Sequence, residues 1–128
     1  MKIENYKKSI IRFVPAVIWM SIIFYVSSIP NLELNGELSA YDLVLRKIAH
    51  MVEYAILVVL FWWGLEKPLT KRAQLEIFLM AFIYALSDEF HQNYVPTRDG
   101  KLTDVLIDTV GIITAIGLIR YIASPKQK

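Results

Sequence analysis

Two adjacent carboxylates, Asp88 and Glu89, end a hydrophobic run, with His91 and Gln92 just behind them and Arg98, Asp99, Asp104 and Asp108 following. Upstream, Lys47, His50, Glu53 and Tyr54 interrupt the opening turns of another apolar run. These residue types define a small set of reactions. Asp88, Glu89, Asp104 and Asp108 offer the oxygen ligands that hard divalent cations prefer, so they are the metal candidates. His50 titrates near neutrality and suits general acid or base work. Arg98, with Lys47, supplies the positive charge that clamps a phosphate, a task the planar guanidinium fork fits well. Together they suggest phosphoryl or acyl chemistry on a head group, with His50, Asp88, Glu89, Asp104 and Asp108 in catalytic roles. Lys47, Tyr54, Gln92 and Arg98 would bind substrate.

Spacing groups these residues further. Lys47, His50 and Tyr54 fall at i, i+3 and i+7, on one face of a helix. Asp88 aligns with His91 and Gln92, and Glu89 aligns with Gln92. Asp104 and Asp108 stack at i, i+4, with Gly111 one turn deeper.

The elements that carry them are greasy. Hydrophobic residues make up 55% of the 128, and charged residues only 20%, above and below the norms for soluble domains. The length admits one domain, residues 1–128. Four apolar runs organise it, and the expected helices lie near 10–29, 46–65, 72–92 and 103–122. A bilayer core takes about 20 helical residues, with a range of about 17–25. The first run meets this unaided, and the others reach it by including polar turns at one end. "AILVVLFWWGL" and "VGIITAIGLI" are apolar all round, which suits lipid better than a soluble bundle needing a polar outer face. The basic residues ahead of the first run resemble a signal-peptide n-region, but Pro15, the long apolar stretch and the lack of a small-x-small site favour a retained helix. The expected fold is therefore all-α, a polytopic membrane protein built as a four-helix transmembrane bundle.

Charge places the ends. Ten basic residues (Lys2, Lys7, Lys8, Arg12, Lys67, Lys71, Arg72, Arg120, Lys126 and Lys128) lie on one side, against Arg46, Lys47, Arg98 and Lys101 on the other. The positive-inside rule then puts both termini in the cytoplasm. Every unusual polar group falls in the outer leaflet. An ionisable group at a helix centre costs at least about 2.5–3.5 kcal/mol, less near the interface, so such groups usually face the bundle interior and pair. Asp104 has a purely structural alternative as a first-turn acid worth about 0.3–1 kcal/mol against the helix dipole. Asp88 and Glu89, at a helix C-terminus, have the wrong sign for that benefit. A net charge of +2 with scattered basic residues argues against nucleic acid as a partner, and the absence of cysteine excludes disulfides and thiolate metal sites.

"IIFYVSSIP", "KIAHMVEYAIL" and above all "SDEFHQNYVPTRDGKLTDVLIDTVG" resemble the VanZ-like family of small bacterial membrane proteins. The resemblance covers most of the chain, from about Ile22 to Ile119. It carries the family's polar residues onto Lys47, His50, Tyr54, Asp88, Glu89, Gln92, Arg98, Asp104, Asp108 and Gly111. Met51 stands where the family often has an aromatic residue, and Thr97 where it often has glycine. The resemblance implies a multi-pass protein of the bacterial cytoplasmic membrane and cell envelope. The family's namesake contributes to teicoplanin resistance, so the same antibiotic-resistance phenotype is an expectation here. Gly100, Asp104 and Asp108 also match half of the CDP-alcohol phosphotransferase signature. The other half is missing and the spans are too few, so that match is a coincidence. Two readings stay open: an enzyme acting on a membrane lipid or lipid-linked cell-wall precursor, with a divalent cation as a candidate cofactor, or a non-catalytic lipid- or partner-binding module. A small transporter subunit is a third, opposed by the lack of polar residues in the inner leaflet.

Overall fold

The computed structural model describes residues 10–30 and 41–123, and among them the regular structure is helical throughout. Four helices follow one another: α1 (Val14–Ser27), α2 (Asp42–Leu65), α3 (Lys71–Gln92) and α4 (Leu102–Ala123). Local chemistry sets their ends. Pro15 stands in the first turn of α1, where its fixed φ suits a helix and its missing N–H costs nothing. Asp42 opens α2 and pairs with Arg46 one turn on, at 2.5 Å. Thr70 caps α3, its hydroxyl accepting from the Ala73 N–H at 3.2 Å. The second helix begins at Asp42, a turn earlier than the apolar pattern suggests, because this polar opening turn is still helical.

Packing makes α2, α3 and α4 a three-helix core, with the α2–α4 contact the most extensive. Helix α1 lies against α2 and, more lightly, α3, and does not reach α4. Ile23, Leu57, Val58, Ile77, Ala81, Ile112 and Ala115 fill the interior. Tight approach of α2 and α4 depends on one residue. A Cβ on Gly111 would lie 2.9 Å from the Met51 Cα and closer still to the Met51 carbonyl oxygen, so only glycine lets these backbones meet. At the opposite end, Arg12 pairs with Glu66 at 2.5 Å and lies over the Trp63 ring, tying the start of α1 to the end of α2.

The outer surface is apolar. Ile18, Val52, Val59, Ile83, Ile113 and Leu118 are among many large hydrophobic side chains exposed around the bundle. Segments Ile10–Ser27, Asp42–Leu65 and Leu102–Ala123 are long and apolar enough to cross a membrane. Helix α3 has the length, 22 residues or about 33 Å, but not the apolarity. Lys71, Arg72 and Glu76 occupy its first turns, and Ser87 through Gln92 its last. The structure thus gives an all-α bundle with three helices of spanning character, where the sequence pattern suggests four.

Candidate functional site at one end of the bundle

The polar residues singled out by spacing converge at the end where α1 finishes, α2 starts, α3 finishes and α4 starts. Their burial runs against their chemistry. Asp88 is 1% exposed, Glu89 5%, Gln92 6% and Asp108 0%. Charged groups seldom go that deep unless partners meet them.

Each has a specific neighbourhood. Ser27, in the last turn of α1, donates to Asp88 Oδ2 at 2.9 Å, and Gln92 Nε2 reaches the same oxygen at 3.2 Å. Gln92 also approaches Glu89 Oε1 at 3.4 Å. The Lys101 backbone N–H donates to Glu89 Oε2 at 2.9 Å. That bond exists because the α3–α4 loop folds back over the end of α3. Asn93 holds Gly100 through Oδ1 at 3.1 Å and the Glu89 carbonyl through Nδ2 at 3.3 Å. Gly100 sits so close to the Glu89 carbonyl that a Cβ would collide with it. His50 Nδ1 approaches Asp108 Oδ1 at 3.4 Å without hydrogen-bond geometry, so it is an electrostatic contact. The Gly111–Met51 approach one turn away brings these two residues together.

Above this buried layer opens a cleft of about 270 Å³. Its lining includes Arg46, Lys47, Arg98 and Lys101, which are all four basic residues assigned to this end. His50, Gln92, Asp99 and Asp104 line it too. Arg98 does more than face the cleft. Its Nε donates to the Ile29 carbonyl at 3.1 Å and its Nη2 to the Val26 carbonyl at 3.4 Å. A cation on the carbonyls of a helix end complements the dipole there, so Arg98 also fastens α1 to the loop.

Several candidates stand elsewhere than simple spacing suggests. Tyr54 is wholly buried below the cleft, 0% exposed, with no partner for its hydroxyl among the described residues and its ring tilted against Tyr84. It lines the buried layer, out of reach of the cleft. Asp104 stands on the cleft wall rather than with Asp108 in the buried layer. His91 turns to α1, stacking on Phe24 at 4.1 Å and meeting the Ser28 hydroxyl at 3.0 Å. Among the described residues, His50, Glu89 and Asp108 place ligand atoms within 4.8 Å of one another, a grouping able to hold a metal ion. Spacing singled out neither Ser27 nor Asn93, since each acts through a fold-dependent contact. Thr97 adopts φ 67°, in the left-handed region that favours glycine. This gives a physical reason for the glycine often found at that position in the family the sequence resembles.

An apolar helical bundle carrying a buried carboxylate layer beneath a basic-lined cleft defines a membrane-type domain with a polar site at one end. The chain matches the VanZ/LLP1 family over residues 3–123 and belongs to it. Comparison with curated proteins and with solved structures finds no match.

Proposed function

We propose that this VanZ-family membrane protein holds the phosphate-bearing head group of an envelope lipid, or of a lipid-linked cell-wall precursor, in the cleft above His50. The protein spans the bacterial cytoplasmic membrane four times, with both termini cytoplasmic and the cleft at the outer face. Helix α3 serves as the fourth span, its polar ends at the two interfaces and Leu79, Ile83 and Leu86 turned outward along its middle. The observation that carries the reading is the cleft lining. All four basic residues of this end surround one opening of about 270 Å³, in a helical bundle whose flanks are mostly hydrocarbon. A phosphate monoester or diester needs positive charge and N–H donors at that scale, while the acyl chains need the apolar flanks of α1, α2 and α4.

Roles follow from the surroundings of each group. Lys47 and Lys101, with no ion pair among the described residues, are the mobile cations that meet the phosphate. Arg98 presents charge from a fixed position, since two of its nitrogens are anchored on α1. His50 stands between cleft and carboxylate layer, with Asp108 facing its Nδ1, and meets the bound head group from the cleft floor. A protein that sequesters or modifies such precursors would alter what a glycopeptide antibiotic meets at the membrane surface, and teicoplanin tolerance is the cellular readout.

The test is mass spectrometry of lipids retained by the full chain purified in mild detergent. The reading expects a phosphate-bearing lipid enriched over its share of the source membrane, and loss of that enrichment in Lys47→Gln/Lys101→Gln. Retention of bulk lipids in bulk proportions by both proteins would refute it.

A further inference from the structure

We propose that His50, Glu89 and Asp108 form a divalent-cation site at the floor of the cleft, suited to Zn²⁺ or Mn²⁺. Proximity is the first observation: one ligand atom from each residue lies within 4.8 Å of the others. The second is independent of proximity. Asp108 is 0% exposed, yet among the described residues both its carboxylate oxygens lack a hydrogen-bond partner, and so does His50 Nδ1 facing it. A wholly buried carboxylate with no hydrogen-bond donor, and only the 3.4 Å approach of His50 Nδ1 on one oxygen, is costly, and groups of that kind are paired or coordinate metals. Three acids, Asp88, Glu89 and Asp108, are buried here beside the imidazole of His50. A divalent ion supplies the missing charge.

The two outer ligands are held for the task differently from Asp108. Glu89 receives the Lys101 N–H and Gln92 on its flanks, the arrangement that fixes a ligating carboxylate. His50 stands at the cleft floor, so the open coordination positions face the cleft. Ligands about 2.1 Å from a tetrahedral ion lie about 3.4 Å apart. His50 Nδ1 and Asp108 Oδ1 already have that spacing, and Glu89 offers an oxygen within 4.8 Å of a ligand atom on each. One imidazole with two carboxylates selects the borderline first-row ions over Mg²⁺ and Ca²⁺, which favour all-oxygen shells, and no thiolate is present to draw softer ions. Asp88, already bonded to Ser27 and Gln92, and Asp104 on the wall complete the acidic surroundings without belonging to this set.

The ion deepens the head-group reading, on which it rests for its role: its open positions take a phosphate oxygen beside Lys47. Its existence is tested apart from lipid. The full chain in detergent is stripped with chelator, then titrated with Zn²⁺, Mn²⁺ and Mg²⁺, with bound metal counted by elemental analysis. About one equivalent of Zn²⁺ or Mn²⁺ is expected, with at least a tenfold loss of affinity in Asp108→Asn and Glu89→Gln and none in Glu76→Gln, at the far end of α3. If Asp108→Asn does not fold, electron spin-echo spectroscopy of the Mn²⁺-loaded native chain decides, through the imidazole nitrogen coupling that His50→Gln should abolish. No stoichiometric uptake, equal uptake by Glu89→Gln, or no nitrogen coupling would overturn the site. Lipid enrichment without ion uptake would overturn it while leaving the head-group reading intact. Ion uptake without lipid enrichment would uphold the site and remove that reading.

Discussion

Replacing Gly111 with alanine tests whether the α2–α4 contact holds the site together. The added Cβ would lie 2.9 Å from the Met51 Cα, 3.0 Å from its carbonyl carbon and nearer still to its oxygen. All three are backbone atoms, so no side chain can swing aside. Ordinary contact begins near 3.4 Å, which makes the helices separate by at least about 0.5 Å at this level. His50 adjoins Met51, and Asp108 lies one turn from Gly111. The 3.4 Å approach between them therefore widens to about 4 Å, beyond the spacing of two ligands on one tetrahedral ion. Gly117, further along α4, would have nothing within 4 Å of an added Cβ, and supplies the control for intrinsic helix propensity. Thermal or denaturant unfolding of the two variants in the same detergent should separate them by about 1–3 kcal/mol, the usual cost of overpacking. Gly111→Ala should be the weaker and should also lose metal affinity. Equal unfolding of Gly111→Ala and Gly117→Ala would refute the claim that this crossing is sterically set.

Thr97→Gly should raise the midpoint of unfolding, because a β-branched residue at φ 67° carries about 1 kcal/mol or more of backbone strain; an unchanged or lowered midpoint would show that the threonine side chain outweighs it. Ser27→Ala removes a buried donor to Asp88 at 2.9 Å and should cost about 1–3 kcal/mol in the same unfolding assay, whereas Ser21→Ala, exposed on α1 and bonded to its own helix, should cost little. Arg98→Lys should lose the paired bonds to the Val26 and Ile29 carbonyls while keeping the charge; partial loss of lipid enrichment with a modest fall in stability is the expected outcome, and full retention of both would contradict the anchoring role. Because the chain has no native cysteine, Asp99→Cys should react with an impermeant thiol reagent in intact cells and Lys71→Cys should not. The reverse pattern would place the cleft in the cytoplasm.

The buried layer was largely legible in the sequence because helical spacing is local. Asp88, Glu89 and Gln92 share a turn, Asp108 and Gly111 share another, and an apolar chain exposes such groups by contrast. What escaped the pattern depends on contacts far apart in sequence. Ser27 meets Asp88 across 61 positions, and nothing in "VSSIP" distinguishes it from a simple helix end. Lys101 serves Glu89 through its backbone, a role that side-chain identity cannot announce. The i, i+3 alignment of His91 with Asp88 is real on the helix, but the Phe24 ring draws the imidazole toward α1. Tyr54 shares a face with His50 and Lys47, yet lies a full turn deeper, where the core closes over it. Spanning character was legible for α1, whose run is uncharged, and for α2 and α4, whose polar turns are gathered at one end of otherwise apolar runs. Helix α3 blurs it because the site and the Lys71–Glu76 turn occupy both its ends.

The central claim is that the basic-lined cleft recognises a phosphate head group. The most direct measurement is binding of a short-chain phosphatidic acid to the full chain in nanodiscs of neutral lipid, followed by titration calorimetry at fixed ionic strength. Saturable one-site binding is expected, with phosphatidylcholine binding at least tenfold weaker and Lys47→Gln/Lys101→Gln reducing affinity by a similar factor. Binding that is non-saturable, indifferent to the head group, or unchanged in the double variant would contradict the account.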